Sequence, residues 1–483
     1  MAEITRRDML KVAASVGAAA LATQVQAQAS QPAKPSDKIV GMQLGAGPLA
    51  GDLDKLLDTM RNVAGLNALF VFIFGHEARF IPMPQRGFRG GNYAIPHMQY
   101  YNGSGLKFED MRAPEFPDLD ILDRTMKATR KHGFKTYALI EEAEGEPPAA
   151  PWQAFYEVDF KGRRQRNPCS NNPGYRAFNL GLVEDYTRSY DVDGFMWSSE
   201  RQGAFTDAIG AKHGGQGSDP GRVTCFCEYC VKKAAAKEIN VDRAKQGFAE
   251  LETFVRAGRA NKRPRDGYFV TLFRLMLRYP ELLAWEQFWI DSRTELMIDI
   301  RNKVKSINPK TPVGFHVWHN ASFSPFYRAE IDFGTMAKNA DFIKPVVYNA
   351  CAGTRIKTYV NSVGQTIFGD LAPEQILQMH YDFFGYTHEA PYDKVGATGF
   401  STDYIAGEVK RTLDDVAGTG VPIYAGLDCD IPGSTYTADS VKASVLAAFH
   451  AGADGVIFAR NWGEMNMDHV PGIGAAVKEL GIG

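Results

Sequence analysis

Ala68-Leu69-Phe70-Val71-Phe72-Ile73-Phe74 is a run without a single polar side chain, made largely of β-branched and aromatic residues. It is too short for a buried helix and reads as a strand covered on both faces, as strands of a parallel sheet are. A helical stretch with an apolar stripe precedes it at 53–63, and another follows at 121–131. The alternation continues in both directions. A strand-like run at 39–44 comes before, and runs at 136–140, 194–197, 313–317, 342–348, 422–427 and 455–458 come after. Gly, Pro, Asn or charged residues bound each run, and Gly133 and Gly452 stand where a helix hands over to a strand. Eight strand–helix units predict an α/β fold, a closed (β/α)8 TIM barrel. The alternative is an open doubly wound sheet, whose phosphate-binding turn would have to be Gly45-Ala46-Gly47, a weak form of that motif.

Two connections exceed the usual few residues. One joins strands four and five and holds a cysteine cluster and the helical stretch 279–307; the other, about 352–419, joins strands six and seven. Loops that leave the C-terminal ends of barrel strands open on the face where barrels build their sites. Long insertions after strands 4 and 6 are therefore expected to shape a substrate cleft. The barrel is expected to occupy 38–483, to end on a helix at 474–480, and to be followed by no separate domain. Residues 30–37 read as a linker.

Residues 1–29 read as an export signal outside the fold. Thr5-Arg6-Arg7-Asp8-Met9-Leu10-Lys11 carries paired arginines, a short apolar run occupies 12–22, and Val25-Gln26-Ala27 and Ala27-Gln28-Ala29 are small-x-small cleavage sites. The segment resembles a twin-arginine signal peptide, a receptor-read address and not an anchor. It implies the twin-arginine translocon as a partner, export in the folded state, and a periplasmic or secreted location. No other segment approaches the apolar length of a bilayer span, so no membrane anchor is expected in the mature form.

The balance of 54 basic and 56 acidic residues leaves no positive surplus to neutralise phosphates, which argues against nucleic acid as a partner. Hydrophobic residues at 45% suffice for a large core. The 12% of aromatics suit a site where rings stack on sugars, and suit a large core equally.

Cys225-Phe226-Cys227-Glu228-Tyr229-Cys230 places three thiols in a C-x-C-x-x-C cluster. This favours tetrahedral zinc with Cys169 as the fourth ligand, a closed and structural site. Disulfides are the alternative in an oxidising compartment, although an i,i+2 bridge is geometrically awkward and three thiols leave one over. Cys351 and Cys429 read as small buried hydrophobes. No organic cofactor is expected.

The strand ends carry the chemistry. Strand two ends in His76, Glu77 and Arg79, strand three in Glu141-Glu142, strand four in Glu200-Arg201, and strand five in His316, Trp318 and His319. Strand six supplies Asn349, strand seven Asp428 and Asp430, and strand eight Arg460, Trp462 and Glu464. Many carboxylates without a Ser-His-Asp arrangement point to acid/base work on a polar substrate. Glu141, Arg201, His316, His319, Asn349, Asp430, Arg460 and Glu464 are expected to bind substrate, with Trp318 and Trp462 as sugar platforms. Asp193 precedes its strand and reads as a turn residue.

Arg164-Gln165-Arg166-Asn167-Pro168-Cys169-Ser170-Asn171-Asn172-Pro173-Gly174-Tyr175-Arg176, then Glu200, then Cys225, Cys227 and Cys230, resembles glycoside hydrolase family 42 over about residues 160–232. The string 191–203 also resembles a broad group of glycosyl-hydrolase-like bacterial proteins. The resemblance implies zinc on the four cysteines, a carbohydrate substrate, Glu200 as general acid/base, and leaves oligomer formation open. Two positions depart from the family: Ser199 replaces an asparagine, and strand seven ends in Gly426-Leu427-Asp428 without the nucleophilic glutamate. Asp428, placed where that nucleophile would be, is expected to be the second catalytic carboxylate beside Glu200, with Asp430, Glu464 and Glu141 as rivals. Trp197 and nearby carboxylates are expected to raise the pKa of Glu200. The sequence thus favours a glycosidase. It leaves open a metal-dependent sugar isomerase or epimerase using His316 and Glu141, and a carbohydrate-binding barrel without catalysis.

Overall fold

In the computed structural model the described residues are 38–75, 91–114, 116–142, 150–429, 436–459, 462 and 465–482. The signal and linker expectations, and His76, Glu77, Arg79, Asp430, Arg460 and Glu464, lie outside them. The chain divides into two units, Met1–Ala33 and Lys34–Gly483, and every described residue belongs to the second.

Eight parallel strands form the barrel: β1 Ile39–Leu44, β2 Ala68–Gly75, β3 Lys135–Glu141, β4 Gly194–Ser198, β5 Val313–Val317, β6 Phe342–Pro345, β7 Tyr424–Asp428 and β8 Gly455–Ala459. Their order is β7-β8-β1-β2-β3-β4-β5-β6. Parallel bridges Ile343–Ile423 and Val346–Gly426 join β6 to β7 and close the ring. The last helix, Pro471–Leu480, packs on Leu53–Ala64, the long helix between β1 and β2, so the outer layer closes as well. This is the (β/α)8 barrel. The insertions after β4 and β6 are present, and the connections after β2 and β3 are also long. The β3–β4 connection includes an antiparallel pair, Tyr156–Val158 with Arg164–Pro168.

Side chains alternate along a strand, so every second residue enters the barrel. Phe70, Tyr137 and Phe342 fill its middle. The first two stack with centroids 4.6 Å apart, and Phe342 meets both edge-on at 6.2 and 5.7 Å. Rings of this size fit because the neighbouring strands offer no side chain. A Cβ on Gly314 would lie 2.2 Å from the Phe342 ring, and one on Gly194 2.5 Å from Tyr137.

Above this apolar plug the inward positions turn polar. Register pairs Glu141 with Ser198, Ser198 with His316, and His316 with Lys344, a continuous row across four strands at the C-terminal end of the barrel. Replacing Gly314 with leucine should overpack the plug and lower unfolding stability by about 1–3 kcal/mol. Urea denaturation of the variant reads this directly, and unchanged stability would contradict the packing described.

Candidate active site at the barrel mouth

Glu200 lies two residues past β4, on a loop pinned at both ends. Ser199 donates to Glu142. Arg201 pairs with Glu142 at 2.9 Å and Glu157 at 2.6 Å, and its guanidinium also faces the Trp289 ring. Beyond it, Glu286 of the helix Glu281–Ile307 accepts from the Phe205 amide at 2.7 Å and the Thr206 hydroxyl at 2.6 Å. A Cβ on Gly203 would lie 2.2 Å from the Glu286 carboxylate, so only glycine allows this approach. Arg201, expected to bind substrate, is buried in an ion network with Glu142 and Glu157.

With its neighbours fixed, the Glu200 side chain stays 31% exposed, while the adjacent His316 side chain is 3% exposed. His316 Nε2 stands 3.4 Å from Glu200 Oε1. Burial pushes the Glu200 carboxyl up. The hydrogen-bonding partner His316 and the charges of His316, Arg355 and His213 outweigh it, and the pKa falls to about 2. The sequence reading had Trp197 and carboxylates raising this value. The structure instead surrounds Glu200 with nitrogen bases and an arginine, and the carboxyl is ionised at neutral pH.

Beside His316, Lys344 is fully buried on β6. Its Nζ lies 3.3 Å from His316 Nδ1 and donates to the Tyr348 hydroxyl at 3.1 Å. Burial lowers its pKa to about 7 against the pull of Glu200 and Glu141. Burial, with the Lys344 charge, also takes His316 down to about 4. A neutral imidazole that accepts from Lys344 at Nδ1 carries its proton on Nε2, facing Glu200.

The loops after β5 and β6 together add a second group. His319 is fully enclosed, with Nε2 3.0 Å from the Tyr404 hydroxyl and Nδ1 3.0 Å from Arg355 Nη1. Cys351 Sγ lies 3.8 Å from the same Nδ1, so this cysteine is buried as expected but not isolated. Asp428 is buried, and its two oxygens accept from the Ala350 and Cys351 amides at 3.2 and 2.9 Å, at the start of the helix Ala352–Val363. Burial dominates and raises its pKa. The charges of Glu200 and Asp428 both act on Tyr348 and Arg355.

Other expected binding residues are used differently. Asn349 accepts from Tyr436 at 2.8 Å and donates to the Phe400 carbonyl at 3.3 Å. Trp318 is buried between the His213 and Tyr327 rings, and Trp462 is buried in the outer core, so neither ring is an open platform. Glu141 stands in the polar row, where its charge reaches Lys344. Among the described residues His213 Nδ1 and Trp318 Nε1 are buried polar atoms without a hydrogen-bond partner, and their rings lie 5.2 Å apart. Sequence reading gave no role to Lys344, Arg355 and His213, nor to Tyr348, although it stands at the end of strand six.

Cys169, Cys225, Cys227 and Cys230 bring their sulfur atoms within 4.8 Å of one another. Cys169 lies 3.4 Å from Cys230 and 3.6 Å from Cys227. Tetrahedral zinc with bonds of about 2.3 Å spaces its sulfurs about 3.8 Å apart, so the donor set suits a metal. Asn171 supplies N–H groups to Cys169 and Cys230 at 3.4 and 3.3 Å, as partners of bound thiolates do.

No protein-family model and no curated protein matches the chain. Solved structures do resemble it. An α-L-fucosidase isoenzyme from Paenibacillus thiaminolyticus is 13% identical over 92% of this chain and 49% of its own, with a TM-score of 0.49. A β-galactosidase from Marinomonas ef1 is 11% identical over 92% and 59%, with a TM-score of 0.48. A β-galactosidase from Bacillus circulans sp. alkalophilus is 16% identical over 92% and 56%, with a TM-score of 0.48. The chain spans about half the length of the first and under two thirds of the others. These neighbours are glycoside hydrolases; the likeness is one of architecture and says nothing of substrate. Among the described residues no helix is long and apolar enough to cross a membrane.

Proposed function

We propose that the barrel mouth hydrolyses glycosidic bonds, with Glu200 and Asp428 as the two carboxylates. The observation that carries this reading is the split between them: Glu200 is lowered to about 2 and Asp428 is raised, and both charges act on Tyr348 and Arg355. Two acids whose environments push them apart form the acid and base of a glycosidase. The split reverses the roles expected from sequence. Glu200, ionised and partly open, acts as nucleophile or as the base that activates water. Asp428 holds the proton delivered to the leaving oxygen. The family 42 resemblance of residues 160–232 agrees with a carbohydrate substrate. The four cysteines hold a structural zinc that ties the Arg164–Pro168 strand to the insertion after β4, and residues 1–29 direct twin-arginine export to the periplasm or beyond.

Glu200→Gln should lower kcat/KM on an aryl glycoside by about 10²–10⁴-fold with an unchanged circular dichroism spectrum. Undiminished turnover would remove Glu200 from the mechanism. Activity should fall as pH rises through the raised pKa of Asp428, and Glu200 should not limit activity until pH approaches about 2.

Elemental analysis of the purified mature protein should find one zinc per chain, lost together with thermal stability in Cys225→Ser. Two disulfides and no metal would replace the zinc site with cross-links.

Arg6→Lys with Arg7→Lys should leave the uncleaved precursor in the cytoplasm. Normal export of that double variant would refute the twin-arginine route.

A further inference from the structure

We propose that the outward face of the helix Tyr268–Arg278 is a self-association surface, on which a second copy of this chain packs across a two-fold axis with Phe273 at its centre. The surface belongs to the insertion after β4, and its role is independent of the chemistry at the barrel mouth.

The helix is apolar on two sides. Tyr268, Leu272 and Leu275 are buried and hold it to the fold. Phe269, Phe273 and Leu277 follow one another four residues apart, so they share another face, and there they are 54%, 50% and 70% exposed. Val270 lies beside them, 50% exposed, and Leu283 in the first turn of the next helix is exposed as well. Eleven large apolar residues are exposed among the described residues, and five of them fall within 269–283. Single exposed apolar residues are ordinary on any surface, but a cluster marks a contact. A helix that is apolar all round is normally covered all round.

Area and charge identify what covers this one. The four exposed side chains of the helix leave about 400 Å² of apolar surface open. A stable interface buries about 800 Å² on each partner, of which about 60% is apolar, so the stripe supplies most of what one side needs. A two-fold contact sets a patch against itself. A stripe of Phe, Phe and Leu suits that, because each of its residues meets another apolar side chain and Phe273, in the middle, meets its own copy. The charges beside the stripe do not oppose the pairing. Arg274 and Arg265 lie 2.9 and 3.2 Å from Asp266, and Arg278 lies 3.0 Å from Glu250, so these arginines already have carboxylate partners within each copy. A helix built to lie on an anionic bilayer instead keeps its cations free for lipid headgroups.

The test is sedimentation equilibrium of the mature protein at about 1–100 μM, where twice the chain mass is expected. Phe273→Glu should weaken the dimer at least about thirtyfold, as loss of a central hot spot does, with an unchanged circular dichroism spectrum. The six native cysteines are all buried, so in Phe273→Cys a short bismaleimide should join the two new thiols into a covalent dimer. A wild-type chain that stays monomeric at about 100 μM overturns the proposal, and that result needs no variant to fold. A dimer that survives Phe273→Glu places the interface elsewhere and overturns it too. A dimer that Phe273→Cys fails to cross-link refutes the two-fold contact at Phe273. Monomers that sediment with phosphatidylglycerol vesicles, and lose this in Phe273→Glu, would assign the face to a membrane and overturn the proposal.

Discussion

Three aromatic rings packed against bare glycine backbone decide where water stops in this barrel. Phe70, Tyr137 and Phe342 fill the middle because Gly41, Gly194 and Gly314 leave space for them. The polar row Glu141–Ser198–His316–Lys344 rests on that plug. Below it there is no solvent to hydrate a charge, and the consequences differ with depth. Lys344, fully enclosed beside neutral partners, is driven toward its uncharged form. Glu200, one layer higher and partly open, has a donor and positive charge around it and keeps its own. One desolvated floor thus yields a neutral base and a stable anion within a single mouth.

The loop that carries Glu200 is held from outside the barrel. Arg201 is locked between Glu142 and Glu157, and Thr224, next to Cys225, donates to Glu157 at 2.6 Å. The cysteine cluster and the Arg201 network are therefore adjacent parts of one support. A buried ion pair adds little net stability, because desolvation offsets most of the attraction. Its effect here is geometric. Removing one acid would leave the buried guanidinium held from one side only, so the double pairing fixes where the loop can lie.

The barrel was legible because its strands are short apolar runs bounded by turn residues, and because glycine recurs inside them where rings cross. The ends of β1 and β5 fall where the pattern places them; β6 stops at Pro345, short of the expected 348, although Val346 and Val347 still bond to the neighbouring strands. The site was legible only where it sits at strand ends. Glu200 and His316 were found this way, and so were Arg201 and Asn349, which the fold uses for support. Lys344 carried a readable signal that went unused: a lysine within an apolar parallel strand has no solvent face to reach. Arg355 and His213 carried none. They arrive from a helix and a loop in two separate insertions, and only tertiary packing brings them to Glu200.

The charges that survive burial determine what this mouth can hold. Desolvation takes His213 to about 3 and His316 to about 4, and pushes His319 well below its ordinary value. At neutral pH these rings are uncharged, and Lys344 stands near its midpoint. Arg355 stays positive because its guanidinium does not deprotonate, and Glu200 stays negative because its neighbours favour the anion. The mouth therefore presents one fixed cation and one fixed anion, with neutral proton donors and acceptors between them. Such a field orients a polar molecule end to end, negative group toward Arg355 and developing positive charge toward Glu200.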